Sequence, residues 1–151
     1  MIIPNCIKEA KAGDILATKY GNLLMFAHYE VEDNELNWEI FKELVSDKGI
    51  ICDHAENGKE CIEMLTNTPN NTYSAILMDI HMPVMDGYEA TRTIRAMEDD
   101  NISKIPIVAM TADAFAEDVQ ASLDAGMNTH LSKPIVIEEV IKTILRYVHN
   151  D

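Results

Sequence analysis

The run Ala75-Ile-Leu-Met78 stops abruptly at Asp79, and turn residues follow at Met82-Pro83 and Asp86-Gly87. An apolar run this short, bounded by turn signals, reads as a strand buried on both faces. Its terminal carboxylate then sits at the rim of a sheet, held by rigid backbone and open to solvent on one side. In open parallel sheets that carboxyl rim is where ligands bind. Asp79 is therefore the candidate reactive group.

A chain of 151 residues is long enough to bury one core and reads as one main domain. Apolar residues at 47% and charged residues at 25% describe a soluble globular protein. Twelve basic against 26 acidic residues give a formal charge of −14. That balance argues against nucleic acid or an anionic membrane as partner, because phosphate contacts need Lys and Arg. No apolar run approaches the roughly 18 residues of a membrane span, and Met1 to Lys8 is too short in apolar residues for a secretory signal. Cys6, Cys52 and Cys61 form an odd set without metal spacing, as expected of reduced thiols in a cytoplasmic protein.

Residues 1–22 have weak periodicity and read as a leader or linker, and the domain takes residues 23–151. Leu23 to Val31 is the expected first strand. Leu36, Ile40, Phe41, Leu44 and Val45 then recur at helical spacing up to a Gly49 cap. A second strand over Ile50 to His54 precedes a helix from Gly58 to Asn67. Tyr73 to Asp79 is the third strand, and Tyr88, Thr91, Ile94 and Met97 share a face of the next helix. A fourth strand runs from Pro106 to Met110. It is followed by a helix burying Phe115, Val119 and Leu123 and ending at Gly126. Thr129 to Ser132 is the fifth strand, and Ile137 to Val148 the last amphipathic helix. Five strands alternating with five helices imply right-handed crossovers and a parallel sheet covered on both sides.

Four strand ends carry polar residues: Glu32-Asp33, Asp79, Thr111 and Lys133. Parallel strands bring all four to one edge. Three crowded carboxylates repel one another and invite a divalent cation, and hard oxygen donors suit Mg²⁺. A carboxylate beside Mg²⁺ can attack phosphorus to form an aspartyl phosphate. Lys133 would compensate the phosphoryl charge, and the Thr111 hydroxyl would donate a hydrogen bond.

From about Leu24 to Val148 the chain resembles the receiver domain of two-component response regulators, the chemotaxis-regulator-like family. The matching stretches are Val31-Glu-Asp-Asn34, Glu56-Asn-Gly58, Leu77 to Gly87, Met110-Thr-Ala112, Ala125-Gly-Met127 and Leu131-Ser-Lys-Pro-Ile135. The wording is most like receivers of hybrid sensor histidine kinases. The resemblance implies a flavodoxin-like, doubly wound sheet in the order 2-1-3-4-5. It also implies Asp79 as phosphoacceptor, with Mg²⁺ held by Glu32, Asp33, Asp79 and the backbone carbonyl of His81. Thr111 becomes the switch hydroxyl, Lys133 the phosphate contact, and His130 the switch aromatic position. The family's Lys-Pro bond is usually cis, so a cis Lys133-Pro134 is expected, although only about 5–6% of X-Pro bonds are cis.

The implied partner is a histidine kinase or a histidine phosphotransfer domain, with a dimer through the strand 4–5 face as a further expectation. The domain would promote its own phosphorylation and dephosphorylation without acting as an enzyme on an outside substrate. It reads as a fragment of a hybrid kinase in preference to a stand-alone regulator, since no output domain follows residue 151.

Three departures matter. His28-Tyr29-Glu30-Val31 replaces an aliphatic strand, so either Glu30 meets a cation such as Lys133, or Leu23-Leu-Met-Phe26 takes the strand's place. The second outcome would draw Glu32 and Asp33 away from Asp79. Trp38 stands where relatives often have Arg, and reads as a packing residue in preference to a partner contact. Val136 replaces a helix-capping Asp, a loss of about 1 kcal/mol. Two alternative functions follow: a degenerate receiver acting only as a binding module, and a haloacid-dehalogenase-type phosphohydrolase. The latter needs a second acid where this chain has His81.

Overall fold

The three inner strands are short and almost wholly apolar because both faces of the sheet are covered. The computed structural model describes residues 23–27, 38–68, 73–111, 116–133 and 135–148. Strands β1 (Leu23–Ala27), β2 (Ile51–Ala55), β3 (Ala75–Asp79), β4 (Ile107–Thr111) and β5 (Thr129–Ser132) form one sheet in the order β2-β1-β3-β4-β5. Every pairing is parallel. Between them lie α1 (Trp38–Ser46), α2 (Gly58–Thr66), α3 (Gly87–Arg95), α4 (Asp100–Ser103), α5 (Ala116–Ala125) and α6 (Ile137–Val148). This is the flavodoxin-like order expected from the sequence.

Alternation along each strand splits the core in two. Met25, Ala27, Ile76, Met78, Ile107 and Ala109 pack with Cys61 and Leu65 of α2 and Ala90 and Ile94 of α3. Leu24, Phe26, Leu77, Val108 and Met110 meet Phe41 and Val45 of α1 and Val140, Ile141 and Ile144 of α6. Burial pushes the Cys61 thiol up to about 12, with Glu60 adding to the effect.

The caps explain where helices begin. Asn57 accepts from the Glu60 N–H at 2.8 Å, and Asp86 accepts from the Glu89 N–H at 2.8 Å. Val136 holds the corresponding place before α6: its carbonyl accepts from Val140, and its exposed side chain caps nothing among the described residues.

The structure departs from the sequence reading in three places. The apolar run Leu23–Ala27 occupies the β1 position between β2 and β3, with Ala27 paired to Ala55 on one side and Met78 on the other. Residues 28–31, assigned to that strand from sequence, lie outside the described residues, as do Phe115 and Pro134. A sixth helix, α4, was not expected; the acidic run Glu98-Asp-Asp100 caps it through Asp99, which accepts from the Asn101 N–H. Leu123, placed in the core by periodicity, is exposed, as are Ile40 and Leu44 of α1. A 3.6-residue pattern identifies a helix but not how much of its apolar arc the sheet covers. No helix among the described residues is long and apolar enough to cross a membrane.

Candidate functional site

Asp79 is the last residue of β3 and only 4% exposed, in register with Met110 of β4. Thr111, also buried, ends β4 opposite Ser132 of β5. Lys133 follows directly, and its N–H donates to the Thr111 carbonyl at 2.8 Å, prolonging the ladder by one step. From there the ammonium reaches back past β4. Its Nζ donates to Asp79 Oδ1 at 3.2 Å and to Oδ2 at 3.1 Å. Two strand spacings, roughly 10 Å, separate β5 from β3, so only a long side chain makes this contact. A buried carboxylate needs such compensation, and Lys133 provides it while remaining 24% exposed at its side chain. The cation is therefore positioned over the carboxylate yet free to turn outward.

The loop after Asp79 is held on several sides. The Gly87 N–H donates to the Ile80 carbonyl at 2.9 Å, and the Gly58 N–H to the Met85 carbonyl at 3.0 Å. Val84 has φ +69°, and the Met85 N–H donates to the Pro83 carbonyl at 2.7 Å, which makes a γ-turn around a β-branched residue. That conformation is strained for valine, and its side chain is 76% exposed. At Gly87 a Cβ would run into the Asp79 carbonyl oxygen and come within 2.9 Å of Ile80 Cα. Only glycine lets α3 start this close to the reactive strand. Gly87→Ala is expected to lower stability by about 1–3 kcal/mol in urea unfolding, because backbone rather than a flexible side chain must move.

Asp79, Thr111 and Lys133, chosen from strand ends alone, are thus brought to one rim. His81 lies on the same rim, exposed, and its carbonyl accepts no hydrogen bond among the described residues. His130 is half-buried in β5, opposite Ala109. Glu32 and Asp33 lie outside the described residues, as does the expected cis bond at Pro134. Among the described residues, no group of three acids, histidines or cysteines gathers to hold a metal. The closeness of Gly87 to Asp79 was not foreseen; the Asp86-Gly87 pair signalled a turn but not a backbone contact.

The family model for the response regulator receiver domain matches residues 30–145. The chain belongs to the response regulator receiver family. Its receiver sequence is 40% identical over 125 residues to hybrid signal transduction histidine kinase B of Dictyostelium discoideum, covering 77% of this chain and 6% of the relative. It is 37% identical over 122 residues to the peroxide stress-activated histidine kinase mak1 of Schizosaccharomyces pombe, covering 78% and 7%. This receiver thus spans only a small fraction of the length of these kinases.

Among solved structures, it resembles the receiver domain of sensor histidine kinase PA1611 from Pseudomonas aeruginosa, which holds a magnesium ion in its active site cleft. That likeness has a TM-score of 0.72 and 32% identity, covering 85% of this chain and 98% of the other. The Saccharomyces cerevisiae Ssk1 receiver, solved with the histidine phosphotransfer protein Ypd1, gives a TM-score of 0.70 and 29% identity, covering 85% and 89%.

Proposed function

We propose that this receiver accepts a phosphoryl group on Asp79 from a phosphohistidine of a kinase or phosphotransfer partner, and that Thr111 and Lys133 convert the event into a surface change. The observation that carries the reading is the Lys133 ammonium bridging both Asp79 oxygens at a rim shared with Thr111. The Asp79 carboxylate attacks phosphorus, a P–O bond forms, and the P–N bond to the donor imidazole breaks. Lys133 then exchanges carboxylate oxygens for phosphoryl oxygens, and the Thr111 hydroxyl moves to donate to the new group. Population shift between two states of β4, β5 and their helices follows, and that face would be read by an effector or a second copy.

The oxygen donors present suit Mg²⁺: a carboxylate at the rim and the His81 carbonyl with no partner among the described residues. Asp79 and His81 would hold the ion together with Glu32 and Asp33. When bound, it would neutralise phosphoryl charge that the carboxylate must approach. The magnesium-bound P. aeruginosa receiver supports this reading, and the Ypd1-bound yeast receiver supports a phosphotransfer partner.

The placement of β1 favours a second reading, a binding module without phosphorylation. Four residues, 28–31, separate Ala27 at the end of the described strand from Glu32. Incubation with a ³²P-labelled small phosphodonor separates the two readings. One hydroxylamine-labile phosphoryl group per chain, mapped to the Asp79 peptide and lost in EDTA, is expected. A chain that stays unlabelled with Mg²⁺ present supports the binding module instead.

A further inference from the structure

Arg95, the last residue of α3, makes no ion pair among the described residues, in a chain with 26 acids. Its guanidinium nonetheless donates four hydrogen bonds. Nε donates to the Gly126 carbonyl at 2.8 Å, and Nη1 to the carbonyls of Ser103 at 2.8 Å and Ile105 at 2.6 Å. Nη2 donates to Asn128 Oδ1 at 2.9 Å. Ser103 ends α4, and Gly126 directly follows α5. Helix carboxyl ends carry partial negative charge and unsatisfied carbonyls, so they stand in for a carboxylate here. Gly126, at φ +108°, leaves the space: a Cβ there would lie 2.8 Å from Arg95 Cγ.

The same node clamps the start of β4. Asn128 Oδ1 also accepts from the Ile107 N–H at 2.8 Å, and the Asn128 N–H donates to the Ile107 carbonyl at 2.8 Å. Tyr147 of α6 donates to the Asn128 carbonyl at 3.4 Å. All of this lies at the amino-terminal edge of the sheet. Thr111 and Lys133 sit at the opposite edge, and Ile107 is roughly 13 Å from Thr111 along β4, four steps of about 3.3 Å. Charge added at Asp79 lies beside the near end, since Asp79 is in register with Met110, the neighbour of Thr111.

We propose that Arg95 is the fixed pivot of the switch: it locks the amino-terminal ends of β4 and β5, so that movement on phosphorylation is confined to the ends bearing Thr111 and Lys133. Arg95 is a positioning residue, and its role as a pivot rests on the phosphorylation reading above.

Amide hydrogen exchange on the whole chain, with and without excess small phosphodonor and Mg²⁺, tests it. Without phosphodonor, Arg95→Met should speed exchange at Ile107, Met127 and Asn128 by about tenfold or more, and leave Lys133 unchanged. Asn128→Asp, which keeps the shared acceptor, should retain wild-type protection. With phosphodonor, wild type should change at Lys133 but not at Ile107, whereas in Arg95→Met the change should spread to Ile107 and Asn128 while Asp79 still takes label. Should Arg95→Met not fold, Arg95→Lys and Asn128→Ala carry the same comparison. Unlabelled wild type removes the phosphorylation reading and the pivot's role together. With label present, unchanged protection in the variants, or equal wild-type responses at Ile107 and Lys133, overturns the pivot alone.

Discussion

Asp79→Asn is expected to take up no phosphoryl group under conditions that label the wild type fully. An amide at this position offers neither the anionic nucleophile nor an oxygen able to form the acyl phosphate. The side chain keeps its size, so β3 should keep its register with β1 and β4. Lys133 loses a charge partner but is already partly solvated, and its ammonium can swing outward. The variant should therefore unfold in urea within about 1 kcal/mol of wild type, because the lost ion pair is offset by no longer burying a charge. Intact stability with absent label assigns the chemistry to Asp79. Residual label would place it on another carboxylate.

Phe26→Ala should produce the largest loss of stability in the chain, about 3–5 kcal/mol, comparable to the whole folding free energy of a marginal domain. The ring is fully buried, 4.5 Å between centroids from Phe41 and 5.9 Å from His54. Loss of the aromatic stack adds to the cavity left behind. Equilibrium urea unfolding measures the effect. It also decides which segment feeds the sheet, because a near-neutral Phe26→Ala would mean that residues 28–31, not Leu23–Ala27, occupy the centre.

Much of the rim was legible before any coordinates. Asp79 and Thr111 each close a short apolar run and Lys133 follows directly on the fifth strand, and parallel strands deliver such residues to a common edge. The placement of β1 was less legible, since nine consecutive residues from Leu23 to Val31 mix strand-forming and polar types with no turn signal to end the run. Apolar burial decided it: Met25 and Phe26 fill a place covered on both faces. The four-residue helix α4 is too short to display a period. The Arg95 node was invisible for a different reason. Its acceptors are mostly backbone carbonyls, which every residue carries, so no residue type announces them.

Alternation within β1 has a consequence for the acids that follow it. Met25 points into one helical layer and Phe26 into the other, so a slip of one residue would drive a phenyl ring into space shaped for a thioether. The described strand accordingly ends at Ala27, abreast of Met78. Six peptide steps then lead to Asp33, a leash of at most about 20 Å. On the Mg²⁺ reading proposed above, trimming or lengthening that leash, with the strand itself untouched, is expected to change how strongly the ion is gripped.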